Sequence, residues 1–130
     1  MGKELSVLIV DDCNSSLLVL KEVFSQILPK SNLLCFQNSE EAMETLALLR
    51  VDILVTDLVM PNISGYELLS KAKEINNETI GILVTAGDPS FADMNDLLAC
   101  GHSVGANYCI RKTHFIADLD KIKDEVSKLH

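Results

Sequence analysis

Short apolar runs rich in branched residues alternate five times with longer stretches of helical period, and this alternation restricts the possible folds of the chain more than any other feature. The runs fall at residues 5–10, 33–37, 52–56, 80–85 and 108–111. Between them, apolar side chains return every three or four residues, as on a helix with one buried face. Leu17, Leu20, Phe24 and Ile27 mark the first such stretch, a helix expected over 15–28 and followed by Pro29. Asn38 with Glu41, and Ser64 with Glu67, have the spacing of capping boxes, so helices are expected from 38 to about 49 and from 64 through Ile75. Pro89 and Gly101 bound a fourth helix near 89–99, and Ile116, Leu119, Ile122, Val126 and Leu129 form the stripe of a fifth. Strict alternation of this kind implies a parallel sheet with right-handed crossovers and helices on both faces. The repeats use all 130 residues, so one domain over 1–130 is expected.

Parallel strands bring their carboxyl ends to one edge of the molecule, which is where ligands bind in open α/β sheets. The residues at these ends are Asp11 and Asp12 after the first strand, Asp57 after the third, Thr85 after the fourth and Lys112 after the fifth. Each has an ordinary reading by itself: an acid pair opening a helix, a strand-end hydroxyl bonded to its own backbone, a solvated lysine. Their convergence changes the balance, because three crowded carboxylates repel unless a cation sits among them or one takes up a proton. Hard oxygen donors with room for water suit Mg²⁺ better than a zinc or calcium cage.

Charge narrows the partners. Eleven basic residues against nineteen acidic ones give a net charge of −8, which opposes the phosphate neutralisation that nucleic-acid binding needs. Direct contact with DNA or RNA is therefore not expected. The apolar runs are strand-sized, far short of a membrane span, and the first residues lack a signal peptide's long apolar region. A cytoplasmic location without membrane attachment is the expectation. Cys13, Cys35, Cys100 and Cys109 form no C-x-x-C pair and are read as reduced, buried thiols; His102, His114 and His130 have no ligand-like spacing and are read as surface residues.

The most specific stretch is DLVMPNISG, Asp57 to Gly65: an acid at a strand end, an apolar turn with Pro61, then a glycine before the next helix. With the Asp11-Asp12 pair, Thr85 and Lys112, this segment makes the whole chain resemble a response-regulator receiver domain of two-component signalling. The resemblance implies a flavodoxin-like doubly wound (βα)5 fold with strand order 2-1-3-4-5. It implies that Asp57 accepts a phosphoryl group from a histidine kinase or histidine phosphotransfer protein. It further implies that Asp12 ligates Mg²⁺ directly, Asp11 through water, and Val59 through its backbone carbonyl. Lys112 and Thr85 would then stabilise the phosphoryl oxygens, as charge spread over such a group requires. Output would pass to a separate partner protein, since no residues after the last expected helix remain for an effector. The first helix near Ser15 is the expected surface for the phosphodonor, and the region from Phe91 to Phe115 that for the output.

Three departures from the family pattern stand out. Thr113 follows Lys112 where receivers usually carry proline. The switch aromatic, counted back from Lys112, would fall on Cys109, with Tyr108 one place early, so both are switch candidates. The segment GHSV, 101–104, lengthens the loop after the fourth helix. Two residues after Asp57 and two after Thr85, where the polar side chains of fast-hydrolysing receivers resemble water-positioning groups, stand Val59 and Gly87, so slow self-dephosphorylation is expected. The chain is thus expected to act as a phosphoacceptor rather than as an enzyme. Three other readings start from the same residues. A receiver with a degenerate switch would serve as a docking scaffold. An aspartyl-nucleophile phosphatase would need a second acid two residues after Asp57, where Val59 stands. A flavin carrier would need a glycine- and hydroxyl-rich phosphate loop after the first strand, where DDCNSS places two negative charges.

Overall fold

A computed structural model describes residues 5–58, 60–85, 106–111 and 118 of the chain. The elements are β1 (Ser6–Val10), α1 (Asn14–Ile27), β2 (Asn32–Phe36), α2 (Ser39–Leu48), β3 (Ile53–Asp57), α3 (Gly65–Ile75), β4 (Ile80–Thr85) and β5 (Ala106–Arg111). All neighbouring strands are parallel, in the order β2-β1-β3-β4-β5. The α/β alternation read from the sequence and the flavodoxin-like strand order implied by the resemblance are both present. The expected helix near 89–99 lies outside the described residues, as does that over 116–129 except for Asp118, which is helical and buried.

The central strands are apolar on both sides because helices cover both faces. Val7 and Ile9 of β1, Ile53 and Val55 of β3, and Ile82 and Val84 of β4 join Leu17, Leu20 and Phe24 of α1 in one buried cluster. Leu8 and Val10, with Leu54 and Leu83, face the other way and meet Ala42 and Leu46 of α2 and Leu68, Leu69 and Ala72 of α3. Phe24 and Leu68 are fully buried, and burial of side chains of this size stabilises the fold by roughly 1.5–3 kcal/mol each.

Helix starts follow local chemistry. The Asn38 side chain accepts from the amides of Glu40 and Glu41, while Ser64 and Glu67 close a full reciprocal box at the start of α3. At Asn38 the side chain accepts both bonds itself, so it acts as a simple N-cap rather than as half of the expected box. α1 begins after Cys13 with no side-chain cap, and Asp11 Oδ1 instead accepts the Cys13 amide at 2.9 Å to turn the chain out of β1.

Boundaries moved for identifiable reasons. β3 starts after Asp52, whose carboxylate accepts the Ser6 amide at 2.8 Å, and extends through Asp57, which pairs with Val84. β5 begins two residues before Tyr108 because Ala106 already pairs with Gly81. The cysteine reading needs one correction: Cys13 is exposed, because it sits on the solvent side of the α1 start, while Cys35 and Cys109 are partly buried. Cys100 and the three histidines lie outside the described residues.

Candidate functional site

Three acids meet at the carboxyl edge of the sheet. Asp11 follows β1, Asp12 is next to it, and Asp57 ends β3, the strand that pairs with β1. One carboxylate oxygen from each lies within 4.8 Å of the others. Asp11 and Asp57 are buried and Asp12 is exposed. Adjacent strands carry the two buried acids, so the sheet itself sets their spacing.

The buried acids are held by backbone amides. Asp57 Oδ1 accepts the Leu58 N–H at 2.8 Å, and Asp11 Oδ1 accepts that of Cys13. The Asp11 amide continues the ladder by donating to the Phe36 carbonyl at 3.1 Å. Both carboxylates are thereby oriented by groups that cannot rotate away, while Asp12 extends into solvent. Three hard oxygen donors this close, one of them open to water, fit Mg²⁺, which keeps several waters and takes few protein carboxylates. Asp11, Asp12 and Asp57 are the residues that would hold it.

The loop after Asp57 is fixed from several directions. The Gly65 amide donates to the Leu58 carbonyl at 3.0 Å, and the Leu58 amide donates to the Val84 carbonyl at 3.1 Å. An added Cβ on Gly65 would overlap the Asp57 carbonyl oxygen, so glycine is required here by the approach of two backbone segments. Asn62 adopts the left-handed region at φ 71°, which asparagine tolerates better than most residues. Met60 is buried in the cluster beneath the loop. Buried Ser39, at the start of α2, donates its hydroxyl to the Pro61 carbonyl at 3.0 Å. Ser39 was not among the residues singled out in the sequence; its partner lies 22 positions away, and no local pattern marks such a bond.

Thr85 is the last residue of β4, one place beyond the partner of Asp57, and it pairs with Arg111 at the end of β5. Lys112 is next in the chain and lies outside the described residues, as do Val59, Gly87, Thr113 and the segment 101–104. The two switch candidates are separated: Tyr108 packs with the α1-side cluster, while Cys109 packs on the α2–α3 side. Burial pushes the Cys109 thiol up to about 11.

Comparison with known proteins agrees with this geometry. The family model described as a response regulator receiver domain matches residues 7–124. The sensor protein EvgS of Escherichia coli is 32% identical over 135 residues, covering 100% of this chain; the chain spans 10% of that sensor's length. Sporulation initiation phosphotransferase F of Bacillus subtilis is 30% identical, with 94% of this chain and 90% of that protein covered. Among solved structures, the receiver domain of a DNA-binding response regulator from Colwellia psychrerythraea superposes with a TM-score of 0.80 at 20% identity, covering 96% of this chain and 99% of that one. With an acid cluster at the sheet edge and a family match spanning most of its length, the chain belongs to the response regulator receiver domains of two-component signalling.

Proposed function

We propose that Asp57 is the phosphoacceptor of a signalling switch, taking a phosphoryl group from a histidine kinase or histidine phosphotransfer protein in a Mg²⁺-dependent reaction. Receivers of this family carry the group as an aspartyl phosphate. The observation that carries the assignment is the meeting of the Asp11, Asp12 and Asp57 carboxylates within 4.8 Å, with Asp57 at the end of a buried strand.

In the transfer, a carboxylate oxygen of Asp57 forms a bond to phosphorus as the bond from phosphorus to the donor imidazole nitrogen breaks, and the imidazole leaves. The backbone around Asp57 is held by its ladder bonds and by Gly65, so the attacking oxygen is already oriented. When bound, Mg²⁺ would supply positive charge against the phosphoryl oxygens. Lys112 is assigned the same role from the side of β5, and the Thr85 hydroxyl is assigned to one phosphoryl oxygen, a contact made in the phosphorylated state alone. A contact that differs between states is what shifts a population. The Val59 carbonyl is the proposed backbone ligand.

Output is assigned to a further protein rather than to nucleic acid, because the net charge of −8 disfavours a polyanion. The phosphodonor is assigned to the start of α1, which follows the acid pair in the chain and where Ser15, Leu18 and Val19 are exposed. Among the described residues no helix is long and apolar enough to cross a membrane. Intact-mass spectrometry after incubation with acetyl phosphate and Mg²⁺ tests the reading. One added phosphate is expected, and label persisting in Asp57→Asn would remove the assignment.

A further inference from the structure

β5 carries one residue more than its ladder needs. Gly81 pairs with Ala106, but Ile82, the next residue of β4, pairs with Tyr108, so Asn107 is bulged out of register. In a regular strand, residues two apart share a face. Here Ala106 belongs to the α2–α3 cluster and Tyr108 packs with the α1 cluster. If pairing ran unbroken from Gly81 and Ala106, Tyr108 would stand opposite Leu83 on the α2–α3 side, and Cys109 would turn to the α1 side. A slip of one residue exchanges every face.

The extra residue is held by its own side chain. Asn107 Oδ1 accepts the Gly81 N–H at 2.9 Å, supplying an acceptor at the point where the bulge interrupts the ladder. The same oxygen accepts from Lys73 Nζ of α3 at 3.1 Å, a charge-assisted bond that fixes the amide from the helix side. Partial burial pushes Lys73 below the usual lysine range. A lysine that loses hydration here gains by keeping this acceptor.

The geometry points to Asn107 as the register-setting residue of β5, supported by Lys73. Together they keep Cys109, and not Tyr108, beside Leu83, and they fix how far along β4 the end of β5 reaches. Loss of the bulge would move that end by one residue, about 3.3 Å, relative to Thr85. Both are positioning residues. What such a shift would do at the site rests on the function proposed above, whereas the register itself does not.

Nuclear Overhauser contacts in isotope-labelled protein read the register directly. In the wild type, the Tyr108 ring is expected to contact the Ile82 and Ile110 methyls, and Cys109 to contact Leu83. Asn107→Val removes the acceptor and favours a regular strand, so Tyr108 contacts should move to Leu83. Asn107→Asp keeps the acceptor and should retain the wild-type pattern. Wild-type contacts in Asn107→Val, or lost contacts in Asn107→Asp, would overturn the inference. Should Asn107→Val fail to fold, Lys73→Met decides. Exchange of the Gly81 amide should quicken roughly tenfold relative to the other β4 amides, the loss expected for a weakened hydrogen bond, and unchanged exchange would overturn the inference. Acetyl phosphate labelling of the same samples is read separately: a wild type that takes no phosphate removes the proposed function and leaves the register result standing.

Discussion

The Cα of Gly65 lies against the carbonyl oxygen of Asp57 so closely that an added Cβ would overlap it. The first turn of α3 therefore rests on the backbone of the proposed phosphoacceptor, and packing there is coupled to the position of the Asp57 carboxylate. The clash involves backbone atoms, which cannot rotate aside.

Gly65→Ala should accordingly destabilise the protein by about 1–3 kcal/mol, the range for overpacking in a well-packed region. It should also slow labelling by acetyl phosphate, since either α3 or the end of β3 must shift. Urea unfolding midpoints and labelling rates check the two effects. An unchanged midpoint would show that the α3 start yields freely and that the contact does not position Asp57.

Much of this site was legible because its determinants are local. A glycine before a capping box, an acid at the end of an apolar run and an acid pair after another are patterns within ten residues, and the parallel sheet turns them into one edge. The fold order followed from alternation and the family resemblance. What sequence could not place depends on distant partners. Ser39 gains its role from Pro61, 22 residues away. The face taken by Tyr108 depends on a bulge whose acceptor serves Gly81, 26 residues away, so counting alternate residues in 108–111 was uninformative about register. The exposure of Cys13 likewise comes from the direction in which Asp11 turns the chain.

The acids should divide their roles by position. Asp12 is exposed and reaches toward solvent, whereas Asp11 is buried with Oδ1 engaged by the Cys13 amide. Asp12→Asn is expected to abolish Mg²⁺ binding and Asp11→Asn to weaken it, roughly 10–100-fold for an outer ligand. Titration with Mg²⁺, followed by chemical shifts of the Asp57 and Leu58 amides, checks this. Equal losses in the two variants would contradict the division.

The lifetime of the phosphorylated state should be long. Val59 and Gly87 cannot hydrogen-bond a water through their side chains, and Val59 adds apolar bulk two residues after Asp57. An attacking water would then seldom be held in line. Decay in Mg²⁺ should quicken in Val59→Asn and again when Gly87→Glu is added. A wild-type protein that already decays as fast as the double variant would contradict the expectation.

Thiol chemistry gives a last check on the geometry beside the acids. Cys13 is exposed, and hydrogen bonds from the Ser15 hydroxyl and the Ser16 backbone amide lower its thiol to about 7, whereas burial holds the Cys109 thiol at about 11. The thiolate is the nucleophile, so near pH 7 roughly half of Cys13 is in reactive form and very little of Cys109 is. Among Cys13, Cys35 and Cys109, iodoacetamide should therefore modify Cys13 first, with a rate that rises through pH 7 and levels off above it. Ser15→Ala should move that inflection upward, because it removes the largest contribution to the lowering. Peptide mass spectrometry across pH 6–9 reads each site separately. Modification of Cys109 at a rate matching Cys13 would mean that β5 does not hold Cys109 against the α2–α3 cluster.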